Sequence, residues 1–176
     1  MTHTQIEEID SVASMRAYRH DSPLGEMRSL WTPQGLYSLS WISETNGGAA
    51  SSITESTAAE NTAARELDRQ LERYFAGEPV SFDSLQVDHQ GRTEFTRRVY
   101  QCCRQISFGQ TSTYKELATR SGNEAASRAV GAAMSRNRVL LIIPCHRVIS
   151  QHGQLRGFSA PGGLTTKQFL LDLETK

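Results

Sequence analysis

The chain has 176 residues, 38% hydrophobic and 22% charged, enough for one large domain or two small ones around a buried core. Its 19 Lys and Arg cancel its 19 Asp and Glu, and a net charge of zero taken as a whole argues against a polyanionic partner. Placed along the chain the charges say something else: residues 1–91 carry 6 basic and 14 acidic side chains, residues 92–156 carry 11 and 3, and residues 157–176 carry 2 and 2. Minus eight is followed by plus eight, so a basic middle segment can face polyphosphate while the acidic segment faces elsewhere.

The opening MTHTQIEEIDSVASMRAY lacks a basic start followed by an apolar stretch, and no signal peptide is expected. The longest apolar run, Val139 to Ile143, falls far short of the roughly 20 residues that span a bilayer, so no membrane partner is expected. Three cysteines, two of them adjacent at Cys102 and Cys103, are too few for a disulfide framework and point to a reducing, cytoplasmic location.

After a polar start, Pro23 to Trp31 and Leu36 to Ile42 read as two strands of a hairpin, joined by Thr32-Pro-Gln-Gly35. Ser43 to Thr57, rich in Ser, Thr, Gly and Asn, reads as a mobile loop. Thr57-Ala-Ala-Glu60 has capping-box spacing, and Leu67, Leu71, Tyr74 and Phe75 form one face of a helix that Gly77 and Pro79 stop. Val80 to Gly91 reads as a connection. The change of charge sign just beyond it places a domain boundary there, giving an α/β unit over 1–91 and a second unit over 92–176.

In the second unit a helix from Glu94 carries Phe95, Val99, Cys102, Cys103 and Ile106 on one stripe, so the cysteines read as small buried hydrophobes. Thr113-Tyr-Lys-Glu116 is another capping box, opening a helix to about Arg120. A turn at Ser121-Gly-Asn123 leads to a further helix ending near Arg136, and the pair has the outline of a helix-turn-helix. On that last helix Ala126, Val130 and Met134 face the core, while Ala125, Arg128, Gly131, Ala132 and Ser135 share the other side. Arg128 is then either an ordinary solvated arginine or a single cation projecting from a surface stripped for close approach.

Val139 to Ile143 reads as a buried strand that Pro144 ends. Cys145, beside His146 in a basic region, has cationic neighbours of the kind that lower a thiol pKa. On an extended strand adjacent side chains diverge, so contact between the two needs a bend or a bridging water.

Ile143-Pro-Cys-His-Arg-Val148 resembles the active-site signature of the O6-alkylguanine-DNA alkyltransferases, the methylated-DNA-protein-cysteine methyltransferases. Thr113-Tyr-Lys-Glu-Leu-Ala118, Ser127-Arg-Ala-Val-Gly-Ala132, Asn137 and the tail before Lys167 to Glu174 follow in the family's order. Several motifs in one order make the resemblance specific over 92–176, and it extends loosely over the first half. It implies a ribonuclease H-like α/β N-terminal domain with a small antiparallel sheet plus helix. A mainly helical C-terminal domain with a winged-helix-like helix-turn-helix is implied to follow.

The resemblance further implies direct-reversal repair: Cys145 takes the alkyl group from O6-alkylguanine, or from O4-alkylthymine, in double-stranded DNA, once and irreversibly. By the same resemblance His146 takes the thiol proton through a water and Glu174, on the last helix, charges the imidazole. Tyr114 hydrogen-bonds the base at N3 and crowds the phosphate, Arg128 fills the stack left by the flipped nucleotide, and Ala129 lies at the DNA. Asn137 braces a hinge, and Cys145, Val148 and Ser159 offer backbone to the guanine edge, with Phe158 as an aromatic wall. No cofactor is implied, and the protein is expected to act as a monomer, with cooperative assembly on DNA left open. Phe158 stands where some relatives have tyrosine, and Ala160-Pro161 lengthens the loop, which puts pocket size in question. The first half has no cysteine, and His3, His20 and His89 are scattered as surface residues would be, so no metal is expected. A chemistry-free regulator or lesion sensor would not need Cys145. A cysteine hydrolase would lack an evident oxyanion hole and leave Tyr114, Arg128 and Asn137 unexplained.

Overall fold

The computed structural model describes residues 15–42, 54–55 and 61–175. Three strands, β1 (Arg16–His20), β2 (Met27–Thr32) and β3 (Gly35–Trp41), form the antiparallel body of a sheet. A two-residue strand, β4 (Thr54–Glu55), adds to β1 in parallel, giving the order β3-β2-β1-β4. Thr54 and Glu55 thus leave the expected loop; the rest of Ser43 to Thr57 lies outside the described residues. β1 was concealed in the polar start because its outward Arg16 and Arg19 dilute the buried Ala17, Tyr18 and His20.

Pro23 to Trp31 is not one strand. Ser22 to Gly25 is a turn, closed by Gly25 N–H to the Ser22 carbonyl at 3.1 Å, and pairing begins only at Met27. The next turn falls at Pro33-Gln34 as its chemistry demands. Gly35 has a φ of +132°, and a Cβ there would meet the Gln86 carbonyl oxygen at 2.5 Å, so glycine is required on both counts.

One helix, α1 (Thr62–Phe75), packs Ala64, Leu67, Leu71 and Tyr74 into the same core as Tyr18, Met27, Leu36 and Leu39. Its N-cap is Asn61, whose side chain accepts from Ala63 and Ala64 N–H at 2.9 and 3.2 Å. The capping box expected at Thr57 to Glu60 lies outside the described residues. His20 is not a surface histidine: it is buried, with Nδ1 2.9 Å from Asp68 and Nε2 2.7 Å from the Ser29 hydroxyl. His89 is half-buried, and His3 lies outside the described residues.

The Val80 to Gly91 connection is packed. It buries Val80, Phe82, Leu85 and Val87 and lies along β3, with Leu36 N–H bonding the Gln86 carbonyl and Asp88 N–H bonding the Leu36 carbonyl, both at 2.9 Å.

Beyond it come α2 (Glu94–Arg104), α3 (Tyr114–Arg120), α4 (Ser127–Ser135) and α5 (Leu164–Leu173), with β5 (Ser112–Thr113) and β6 (Val148–Ile149) paired in parallel. On α2, Val99, Tyr100 and Cys103 are buried. Cys102 is only half-buried and its thiol points to the Arg120 carbonyl at 3.3 Å. Thr113 and Glu116 close the expected capping box at the start of α3. A 3-10 turn at Glu124–Ala126 then interrupts the single helix expected to Arg136. Asn123 starts that turn by accepting from Ala125 N–H at 3.1 Å. Val130, Ala133 and Met134 face the core from α4, whereas Ala126 is only half-buried.

Val139 to Ile143 is buried but is not a strand. Only Val139 bridges to Leu39; the chain then turns back, with Ile143 N–H bonding the Val139 carbonyl at 3.0 Å and Leu141 at a φ of +68°. A tight turn made of five apolar residues is hard to recognise, because backbone polar groups cannot be buried there without partners. Asn137 supplies them, accepting from Val139 N–H at 3.0 Å and donating to the Ile143 carbonyl at 2.8 Å. The same segment ties the halves together, since Arg138 lies 3.5 Å over the Tyr37 ring and bonds its carbonyl at 2.7 Å. Among the described residues no helix is long and apolar enough to cross a membrane.

Candidate active site

The turn at Ile143 delivers Cys145, His146 and Arg147 into one 3-10 turn, closed by Arg147 N–H to the Pro144 carbonyl at 2.9 Å. This is the bend that an extended strand would have denied them. Cys145 is 5% exposed, and the Asn137 amide that braces the turn also lies 3.2 Å from its sulfur. Burial pushes the Cys145 thiol up; the Asn137 hydrogen bond and the Lys167 charge oppose this without reversing it. The expectation of a thiol lowered by cationic neighbours is therefore corrected: at rest burial outweighs them, and a thiol held up in this way ionises only with the help of a base.

His146 is fully buried. Its Nε2 lies 2.7 Å from Glu174 Oε1, while its Nδ1 is buried without a hydrogen-bond partner among the described residues. Burial pushes the imidazole down, and Glu174 offsets only part of that, which favours the neutral ring. Glu174 caps the C-terminus of α5 rather than lying within it. Burial raises its carboxyl, but hydrogen bonds from His146 and Arg147 outweigh burial and hold it at about 2. Arg147 clamps both carboxylate oxygens, Nε to Oε2 and Nη2 to Oε1, each at 2.9 Å, and Gly109 N–H adds a bond at 3.2 Å.

Beside this buried group opens a cleft of about 720 Å³ lined by Tyr114, Arg128, Arg156, Phe158 and Ser159 among others. Tyr114 is the first residue of α3, and burial pushes its hydroxyl up. Arg128 is exposed on α4, with the half-buried Gly131 beside it in the lining. Ala129 is exposed on the same helix, outside the cleft lining. Phe158 joins the two regions, its ring 6.4 Å from that of His146 at 75°. Ser159 is exposed and its hydroxyl donates to the Ser135 carbonyl at 3.1 Å. Val148 is buried in β6, and its carbonyl accepts from Lys167 Nζ at 2.6 Å.

A family model described as "6-O-methylguanine DNA methyltransferase, DNA binding domain" matches residues 94–176. A methylated-DNA-protein-cysteine methyltransferase of Methanosarcina acetivorans is 40% identical over 154 residues, spanning 88% of this chain and 94% of the relative. The chain belongs to the methylated-DNA-protein-cysteine methyltransferase family. The crystal structure of the O6-methylguanine methyltransferase of Mycobacterium tuberculosis superposes with a TM-score of 0.80 at 34% identity, covering 92% of this chain and 93% of that one. The same organism's protein in complex with DNA gives 0.76 at 34% identity over 90% and 92%.

Within this methyltransferase the structure brings Cys145, His146, Glu174 and Asn137 together in one buried group, and Tyr114, Arg128, Phe158 and Ser159 around one cleft. Sequence reasoning missed three residues. Arg147 stood inside the quoted motif without a role. Lys167, fully buried with bonds to the Val148 and Arg156 carbonyls, could have been found from its spacing, since Lys167, Leu170 and Glu174 recur along one helical face. Tyr74 bonds Glu174 from 100 residues away and has no local signal.

Proposed function

We propose that this chain repairs DNA by direct reversal, moving the alkyl group of O6-alkylguanine in duplex DNA to its own Cys145, once per molecule. The observation that carries the reading is the His146–Glu174 pair beside a buried thiol, with His146 Nδ1 left to receive a proton. His146 takes the Cys145 proton through a water, and Glu174 holds the resulting imidazolium. The sulfur–carbon bond forms as the carbon–O6 bond breaks, and the electron pair leaves with guanine, which Tyr114 stabilises through N3. A soft sulfur suits an sp3 carbon. Nothing in the motif at 143–148 offers a way to hydrolyse the product thioether, so the reaction ends after one turnover.

In this reading α3 and α4 act as a winged-helix-like helix-turn-helix on the minor groove. Arg128 enters the stack behind the flipped nucleotide, and Ala129 lies against the backbone. Asn137 braces the hinge between that motif and the reacting cysteine. The backbone of Cys145, Val148 and Ser159 reads the guanine edge, against Phe158. A division into domains near residue 91, a ribonuclease H-like first domain and a reducing intracellular location belong to the same proposal. The start of the family match at residue 94 supports the boundary.

The test is the intact mass of the protein after incubation with excess O6-methylguanine duplex. The expected result is one added methyl, about 14 Da, mapped to Cys145 and then no further reaction. Multiple turnovers, or transfer by Cys145→Ala, would overturn the proposal.

A further inference from the structure

Glu174 accepts hydrogen bonds from His146, Arg147 and the Gly109 amide, and a further donor comes from the other half of the chain. Tyr74, on α1, donates its hydroxyl to Glu174 Oε1 at 2.7 Å, the same oxygen that His146 Nε2 reaches at 2.7 Å and Arg147 Nη2 at 2.9 Å. The Tyr74 oxygen lies 3.4 Å from His146 Nε2 itself. Its ring is fully buried, edge-on to Phe75 at 5.2 Å and Phe108 at 5.8 Å and tilted against Phe82 at 6.0 Å, so the hydroxyl is held in one direction. The groups that face Glu174 and His146 are therefore Tyr74 from α1, Cys145 and Arg147 from the 3-10 turn, Lys167 from α5, and the Gly109 amide. Tyr74 alone among them belongs to the first 91 residues.

We propose that Tyr74 is a positioning residue of alkyl transfer, through which the N-terminal half sets the basicity of His146 by sharing Glu174 Oε1. This rests on the function proposed above. A hydroxyl donated to a carboxylate oxygen draws charge from it and weakens its hold on a neighbouring N–H. Tyr74 thereby keeps the imidazole less basic than Glu174 alone would make it, and so neutral and ready to accept the thiol proton at working pH. Burial and the Glu174 charge both push the phenol upward, so it remains a donor throughout. The α1 contact thus tunes the base that takes the proton and is not only a packing contact between halves.

The test is the pH profile of single-turnover methyl transfer. Tyr74→Phe keeps the ring packing and removes only the donor, and the acid limb is expected to move up by about one pH unit, a tenfold slower reaction on that limb with the plateau preserved. In a Glu174→Gln background the same substitution is expected to add no further shift, because the two act through one bond. Should Tyr74→Phe fold poorly, 3-fluorotyrosine placed at position 74, a stronger donor with the same shape, is expected to move the limb the other way. An unmoved limb in whichever variant folds, or additive shifts with Glu174→Gln, would overturn the proposal. A wild-type protein that accepts no methyl would instead overturn the proposed function, so the two failures are distinguishable.

Discussion

Glu174 and Arg128 belong to the same basic half of the chain and sit in opposite surroundings. Glu174 is 5% exposed and accepts from Tyr74, His146, Arg147 and Gly109, whereas Arg128 is exposed on α4 at the edge of an open cleft. The buried region holds its charges by saturating them with hydrogen bonds, which is the only way such groups survive burial. The cleft region keeps Arg128 and Arg156 exposed, with the small Ser127, Gly131 and Ser135 beside Arg128 in the lining. Chemistry here needs a geometry fixed before the substrate arrives, and recognition of a long polyanion needs accessible cations and close backbone approach.

Substitutions break this contrast to different degrees. Asn137→Ala is the largest, because it strips the Val139 amide of its partner in a buried turn, leaves the Ile143 carbonyl with only the Cys145 N–H, and removes the amide facing Cys145. A loss of about 3 kcal/mol in urea unfolding and at least a hundredfold slower transfer are expected. Unchanged stability would show that the turn holds without Asn137. Thr113→Ala is the smallest. It removes the α3 cap on the recognition side, costing about 1 kcal/mol by the same measurement, while methyl transfer from the free O6-methylguanine base keeps its rate. A comparable slowing with the free base would show that the reaction centre depends on α3 after all.

The helices were legible because their signals are local. The Thr113 capping box, the Leu67, Leu71 and Tyr74 face and the Val130 and Met134 face are all found where periodicity and capping put them. Strand content was legible less well. β1 hid behind two outward arginines, and the apolar run Val139 to Ile143 concealed a turn whose backbone is satisfied by a side chain. Of the site, Cys145, His146 and Glu174 could be named from the resemblance, but the role of Arg147 and the direction of the cysteine shift could not. Cationic neighbours are visible in sequence and burial is not, and burial wins at Cys145. Tyr74 was legible only as a core aromatic, since its bond to Glu174 closes a loop of 100 residues. The net charge changes from minus eight over residues 1–91 to plus eight over residues 92–156. It gave no hint that an aromatic residue from the acidic half completes the site in the basic one.

In the function proposed above, a buried reaction centre and an open DNA cleft divide the work between them. The most direct test compares wild type with Arg128→Ala for methyl transfer from duplex O6-methylguanine and from the free base. A loss of tenfold or more is expected on duplex, corresponding to more than about 1.4 kcal/mol, with the free-base rate unchanged. Equal losses on both substrates would contradict it.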